Sequence, residues 1–335
     1  MNVKEIEDLF HQDMHQLGRI ADSINGRIAT FSVNRHINYT NVCVSKCPIC
    51  AYHRENGYVM GEDDVIRYAV EAIRLGAKEL HIVGSHNPEI DVEYFEKIFS
   101  EIKKRCGNGV AIKALTATEI HYYAKKDGMS IREFLSRLKD AGLDMLPGGG
   151  AEILVERIRK RISPSKASSE RWLRIMEIAH SLGIRSNATM LFGHIESLRD
   201  RAVHLNKLRK LQERTGGFVS FIPLVFHPEN TSFSYMEKTS PQDILKTVAV
   251  SRIVLSNFRG IKAYWVMMGE KLAQVALNYG ANDVDGTVMG ERIAHSAGAK
   301  TPAELTKERL ADMIRKAGKV PAERDAFFNV VEVFN

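Results

Sequence analysis

"KELHIVGSHNPEIDVEYFEKIFSEIKKRCGNGVAIKAL", residues 78 to 115, contains the unit on which the fold turns. "KELHIVG" (78–84) is a short apolar run stopped by glycine. "VEYFEKIFSEIKKR" (92–105) spaces its apolar residues at helical intervals, and "VAIKAL" (110–115) is a second strand. Parallel neighbours need a crossover of this length, so strand, helix and strand read as one parallel unit. Outward in both directions the beat repeats. "RHINYTN" (35–41) is a strand, and "GEDDVIRYAVEAIRLG" (61–76) a helix with an acidic start and a glycine stop. "SIREFLSRLKDAG" (130–142) is a helix capped by serine and closed by glycine. There follow "LDMLPGGG" (143–150), the helix "SSERWLRIMEIAHSLG" (168–183) and the strand "RSNATMLFG" (185–193). A charged helix near 197–214 leads to the strand "GFVSFIPLVF" (217–226), a helix at 241–258, the strand "IKAYWVM" (261–267) and a helix at 269–279. "NDVDGTV" (282–288) and a helix beginning near Pro302, with Thr301 as its cap and Glu304 three residues on, complete the series.

About eight strand–helix units of roughly 30–40 residues match an α/β fold of the parallel β/α barrel (TIM-like) type. A doubly wound open sheet shares the alternation and is the runner-up. The absence of a composition break or long linker favours the barrel. The expected organisation is an N-terminal amphipathic helical segment over 1–30 and a barrel over 31–335 with a C-terminal helical extension. In either fold, ligands bind at the C-terminal ends of the strands.

The 335 residues are 44% hydrophobic, enough for a sizeable core, and 47 basic against 41 acidic residues leave a mild excess of +6. Soluble surface is the expected source of that charge, and the basic stretch from Arg157 to Arg174 reads as a solvated helical face, with attraction of an anionic ligand or partner as the alternative. No run of about 18 apolar residues is present, so no membrane partner is expected. A cytoplasmic location is expected, since "MNVKEIEDLFHQDMHQLGRI" carries acids among its apolar residues and reads as an amphipathic helix rather than a signal peptide. Thiols stay reduced there, and clustered cysteines bind metal more often than one another.

Three of the four cysteines crowd into "NVCVSKCPIC" (41–50), directly after the first barrel strand. Cys43, Cys47 and Cys50 can serve as three thiolate ligands of a 4Fe-4S cluster, leaving one iron open, much as catalytic zinc sites keep an open position. Zinc is the competing reading, with His53 or Cys106 as fourth ligand.

C-x₃-C-x₂-C after the first strand of a β/α barrel resembles the signature of radical S-adenosylmethionine (SAM) enzymes. The resemblance implies a 4Fe-4S cluster held by Cys43, Cys47 and Cys50, with SAM as co-substrate on the open iron. In that family an aromatic residue usually precedes the last cysteine and touches adenine; Ile49 stands there, so the contact would come from an aliphatic side chain or from Tyr52. Further blocks, "HIVGSHNPEI", "ALTATEIHYYAK", "AGLDMLPGGGAEI", "SNATMLFGHIES" and "SFIPLVFHPENT", are similar to the aminodeoxyfutalosine synthase family of the futalosine route to menaquinone. The cyclic dehypoxanthine futalosine synthases share several of them, and the deazaflavin synthases more distantly.

This resemblance implies addition of a 5′-deoxyadenosyl radical to 3-[(1-carboxyvinyl)oxy]benzoate, an aryl enol-ether dicarboxylate. It also implies a one-electron donor such as flavodoxin or ferredoxin. Gly84, in the turn after the second strand, would offer backbone to the SAM ammonium. Glu152, after three glycines, would accept from ribose; the bland reading is a first-turn helix acid. Asn187 and Glu196 are further SAM candidates. Glu119, His194 and His227 are candidate catalytic groups, and Thr116, Asn230 and Trp265 candidate substrate contacts. The rival from another class is a zinc-stabilised nucleic-acid-binding protein, against which stands the lack of any repeated Cys/His module.

Overall fold

The computed structural model describes residues 1–334. Its strands, in chain order, are β1 (Ile28–Ser32), β2 (Asn34–Asn38), β3 (Glu79–Val83), β4 (Ala111–Ala114), β5 (Met145–Leu146), β6 (Arg185–Phe192), β7 (Phe218–Val225), β8 (Gly260–Ile261), β9 (Asp283–Gly286), β10 (Val320–Arg324) and β11 (Val330–Val333). Strands β2 to β8 form one sheet in sequence order, every pair parallel. The stretch from Asp283 to Met289 stands between its two ends. Lys262 bridges Asp283 on one side and Arg35 bridges Met289 on the other. Ala263 N donates to Asp283 O at 2.7 Å, and His36 N to Met289 O at 2.7 Å. Seven strands and this closing segment make the curled, TIM-like barrel that the alternation implies. A second sheet in the order β11-β10-β1-β9 covers its lower end.

The helical pattern holds where caps are unambiguous. Ser130 accepts from Glu133 N ahead of the helix Ile131–Asp140, and Ser168 from Arg171 N ahead of Ser169–Ser181. Elsewhere local chemistry overrode periodicity. The expected N-terminal helix is two, Val3–Leu9 and Met14–Ile24, because Asp13 caps a fresh start by accepting from Gln16 N. "IKAYWVM" contributes only the end of β8, and Trp265–Met268 is a helical turn. Thr301 caps no helix: its hydroxyl donates to Val266 O at 3.0 Å, and the helix Lys307–Lys316 starts from Thr306 instead. Three further helices were unforeseen, Ala117–Lys126, Glu156–Ile162 and Ile293–Ala297. Among the described residues, no helix is long and apolar enough to cross a membrane.

The lower barrel interior is ionic. Lys113 pairs with Glu79, Lys262 with Asp285 at 2.5 Å, and Arg324 Nη2 with Asp283 at 3.0 Å. Three cations meet three carboxylates, all buried. Burial alone would raise the Glu79 carboxyl, but Lys113, Lys262 and Arg324 outweigh it and hold the group at about 2. Such groups stay charged in a core only when matched, and removing one partner typically costs about 3–5 kcal/mol. This matched layer closes the barrel floor beneath the strand ends.

Candidate active site

A cavity of about 300 Å³ opens at the C-terminal ends of the barrel strands. Cys43, Cys47 and Cys50 all line it, and none is in a disulfide. Their loop is fixed from several directions. Cys50 N donates to Cys47 O at 3.0 Å, Ser232 N to Pro48 O at 3.0 Å and Val44 N to His86 O at 3.1 Å. The His86 ring stacks on Tyr122 at 4.7 Å and its Nδ1 meets Ser45 Oγ at 2.6 Å. Cys106 ends the helix Val92–Cys106 and does not line the cavity.

The thiols sit in a field set by burial and one cation. Burial pushes Cys47 up to about 11, against the pull of Lys166. Burial also opposes ionisation of Cys50, but the His53 hydrogen bond and Lys166 outweigh it and lower that thiol. Lys166 itself is raised, since Glu152, Cys47 and Cys50 more than offset its burial. Among the described residues no three His, Cys, Asp or Glu side chains converge as a single-ion site. His53 is turned to the Cys50 carbonyl, 3.0 Å from Nδ1. Cys43, Cys47 and Cys50 are the free thiols that this one cavity offers as ligands. Soft thiolates are the donors that iron–sulfur clusters take.

The triple-glycine loop forms one wall, with Gly149 and Gly150 facing the cavity. Gly148 has a φ of +83°, and a Cβ there would lie 2.3 Å from Asn187 O, so the fold itself requires glycine. Arg159 Nη2 donates to Gly150 O at 3.2 Å and Trp172 Nε1 to Gly149 O at 3.1 Å. Arg159 is thus buried under the loop rather than solvated with its neighbours, which corrects the reading of 157–174 as one exposed face. Glu152 precedes the helix Glu156–Ile162 and accepts from Lys166 Nζ at 2.7 Å, so it is not a first-turn helix acid.

Of the remaining candidate residues, Tyr52, Gly84, Glu152, Thr116, Glu119 and His227 line the cavity. Gly84 has no room for a side chain, because a Cβ would lie 2.7 Å from the Tyr39 ring. Tyr52 presents its ring while its hydroxyl meets Tyr58 at 2.6 Å. His227 is anchored through Nε2 to Met267 O at 2.9 Å, leaving Nδ1 buried without a partner. Five other candidates lie off the cavity, with polar atoms committed to the fold. Asn187 accepts from Ser220 Oγ at 2.9 Å, and Trp265 Nε1 donates to Gly286 O at 2.8 Å. Asn230 is exposed, in a left-handed turn. His194 packs between Leu191 O and Ile195 N. Glu196 takes the amides of Gly193 and His194; the His194 imidazole, 2.9 Å away, and the Arg201 guanidinium outweigh its burial and hold it at about 2.

Glu119 belongs to the scaffold as much as to the cavity. It accepts from Tyr39 Oη at 2.7 Å, Gly84 N at 2.9 Å and Thr116 N at 2.7 Å, tying three strand ends together. Loss of three bonds to one buried carboxylate has a larger effect on the fold than on a proton. Glu119→Ala is expected to lower the unfolding free energy by about 2–4 kcal/mol in urea titrations. Unchanged stability with lost turnover would return Glu119 to a chemical role.

Residues that sequence reading missed make up the floor: His36, His81, Lys113, Asp285 and Glu291. A signal for them existed. Asn34, His36 and Asn38 alternate along β2, and Glu79 and His81 along β3, so polar groups recur at period two on the inward face.

Comparison with known proteins gives three kinds of likeness. Residues 37–208 match the family described as the radical SAM superfamily, and 215–335 the CofH/MqnC C-terminal region. The chain is 42% identical to aminodeoxyfutalosine synthase of Thermus thermophilus, over 97% of this chain and 90% of the relative. It is 39% identical to cyclic dehypoxanthine futalosine synthase of Streptomyces coelicolor, over 96% and 83%. With a 5-amino-6-(D-ribitylamino)uracil–L-tyrosine 4-hydroxyphenyl transferase of Methanosarcina mazei the identity is 38%, over 92% and 82%. The crystal structure of methylornithine synthase superposes with a TM-score of 0.77 over 96% of this chain and 94% of that one, at 16% identity, a likeness of fold.

Proposed function

This chain belongs to the radical SAM superfamily, whose enzymes use a 4Fe-4S cluster and SAM, and from that premise we propose that it is an aminodeoxyfutalosine synthase. Its reaction would join the adenosyl group of SAM to 3-[(1-carboxyvinyl)oxy]benzoate, in the futalosine route to menaquinone. The observation that carries the reading is one cavity with three free thiols at its rim, apolar walls and a polar floor, in a chain 42% identical to an aminodeoxyfutalosine synthase.

Cys43, Cys47 and Cys50 would hold the cluster. When bound and reduced, it supplies the electron that cleaves SAM to methionine and the 5′-deoxyadenosyl radical. The chain's own residues do the rest. The Lys166 cation beside Cys47 and Cys50 offsets part of the negative charge of the thiolates. Glu152 uses Oε1 for Lys166, and we assign its other oxygen to the ribose hydroxyls of SAM. The turn at Gly84, packed against the Tyr39 ring and tied down by Glu119, would offer backbone carbonyls to the methionine ammonium. Tyr52, with Ile49 in the same lining, would give the adenine an apolar face, and His227 keeps a buried Nδ1 without a partner. Val83, Leu191, Ile222, Leu224 and Phe226 wall the cavity and exclude water, which a carbon radical requires.

Relative turnover of two substrates tests the reading. Reduced enzyme with SAM is offered the carboxyvinyloxybenzoate or dehypoxanthine futalosine, each under anaerobic conditions. A kcat/KM at least about 100-fold higher for the benzoate is expected, roughly 2.7 kcal/mol of discrimination. The reverse preference would make the chain a cyclic dehypoxanthine futalosine synthase.

A further inference from the structure

The floor of the cavity carries two imidazoles that the fold leaves unused. His36 on β2 and His81 on β3 are register partners, and their rings stack at 4.3 Å with 17° between planes. Both face the cavity. His36 is 93% buried, yet its Nε2 has no hydrogen-bond partner. An unpaired polar atom at that depth costs free energy unless something else completes it.

The surroundings say what would complete it. Lys113, next in the same row on β4, is paired with Glu79, and Asp285 with Lys262. Glu291 is occupied by the amide of Ala294 and by His295. Burial lowers both His36 and His81, so each ring is neutral and keeps one N–H. Two parallel rings offering one N–H each, with a lysine alongside, suit an acceptor with two oxygens. A carboxylate is that acceptor.

Depth decides which carboxylate. On the aryl enol-ether reading, the reacting double bond must meet SAM near the thiols at the strand ends. His36 and His81 lie two residues below the ends of β2 and β3, so the far end of the substrate reaches them. We propose that His36 and His81 together hold the ring carboxylate of 3-[(1-carboxyvinyl)oxy]benzoate, and so set the specificity for a benzoate over an unsubstituted aryl ether. This assignment rests on the function proposed above.

The test is anaerobic calorimetric titration of reconstituted enzyme with SAM and without reductant, so that binding is read without turnover. The two ligands are 3-[(1-carboxyvinyl)oxy]benzoate and 2-phenoxyacrylate, which lacks only the ring carboxylate. Wild type is expected to prefer the benzoate by roughly 10–100-fold, as one or two charge-assisted hydrogen bonds provide. His81→Phe keeps the stack and removes the N–H; it should lose most of that preference while binding phenoxyacrylate as wild type does. His36→Gln serves as second variant, and iron content and SAM affinity report that each variant is folded. Equal wild-type affinities, or a His81→Phe loss shared by both ligands, would overturn the assignment and leave the function standing. Failure of wild type to bind either ligand would contradict the function and the assignment together.

Discussion

Alanine at Cys43, Cys47 or Cys50 is expected to abolish the cluster, whereas Cys106→Ala should keep it. After anaerobic reconstitution, wild type and Cys106→Ala should each carry about four irons and four sulfides per chain, and the other three variants only background. The expectation rests on position. The three loop thiols face one cavity, while Cys106 ends an outer helix. Two imidazoles near the loop already have partners. His53 is already committed to the Cys50 carbonyl, and His86 is stacked on Tyr122 and bonded to Ser45. The fold should survive these substitutions, because the loop is held by Val44, Pro48 and Ser232 through backbone bonds that do not use the sulfurs. Far-ultraviolet circular dichroism would therefore stay near wild type. A Cys106→Ala protein as iron-poor as Cys43→Ala would refute the three-ligand assignment.

Much of the barrel was legible because its longer strands announce themselves. "RSNATMLFG" and "GFVSFIPLVF" are apolar runs bounded by glycine, and β6 and β7 occupy them to within about a residue. Short elements were less legible. β5 and β8 have two residues each, and their identity comes from pairing with neighbours rather than from local pattern. The helix Ala117–Lys126 lies inside the block "ALTATEIHYYAK", where no helix was expected. Yet Thr116 and Glu119 form the reciprocal capping box that marks a helix start, and "TATE" carries its spacing.

The site divides in the same way. Cysteine spacing, the triple glycine and the glycine at 84 are local features, and all of them meet at the cavity. His194, Asn187 and Glu196 looked equally chemical in sequence, but their partners are Leu191 O, Ser220 and Arg201, and only the folded chain reveals those bonds. Lys166 and Glu152 are 14 residues apart and become a site only when the loop folds back to pair them. The His36 and His81 row was readable from alternation, since a barrel strand with polar residues at every second position must turn them inward or outward together.

We propose that this cavity joins the adenosyl group to an aryl enol ether instead of using it only to abstract hydrogen. The second large effect expected is therefore in where the adenosine skeleton ends. Reduced enzyme is supplied with SAM carrying carbon-13 throughout its ribose, together with 3-[(1-carboxyvinyl)oxy]benzoate, and products are read by mass spectrometry. With the ring carboxylate on His36 and His81, as proposed, the enol ether is the end of the substrate nearer the thiols. The label should appear, one for one with SAM consumed, in a product that also contains the benzoate ring. Free labelled 5′-deoxyadenosine, with the benzoate recovered unchanged, would contradict the account.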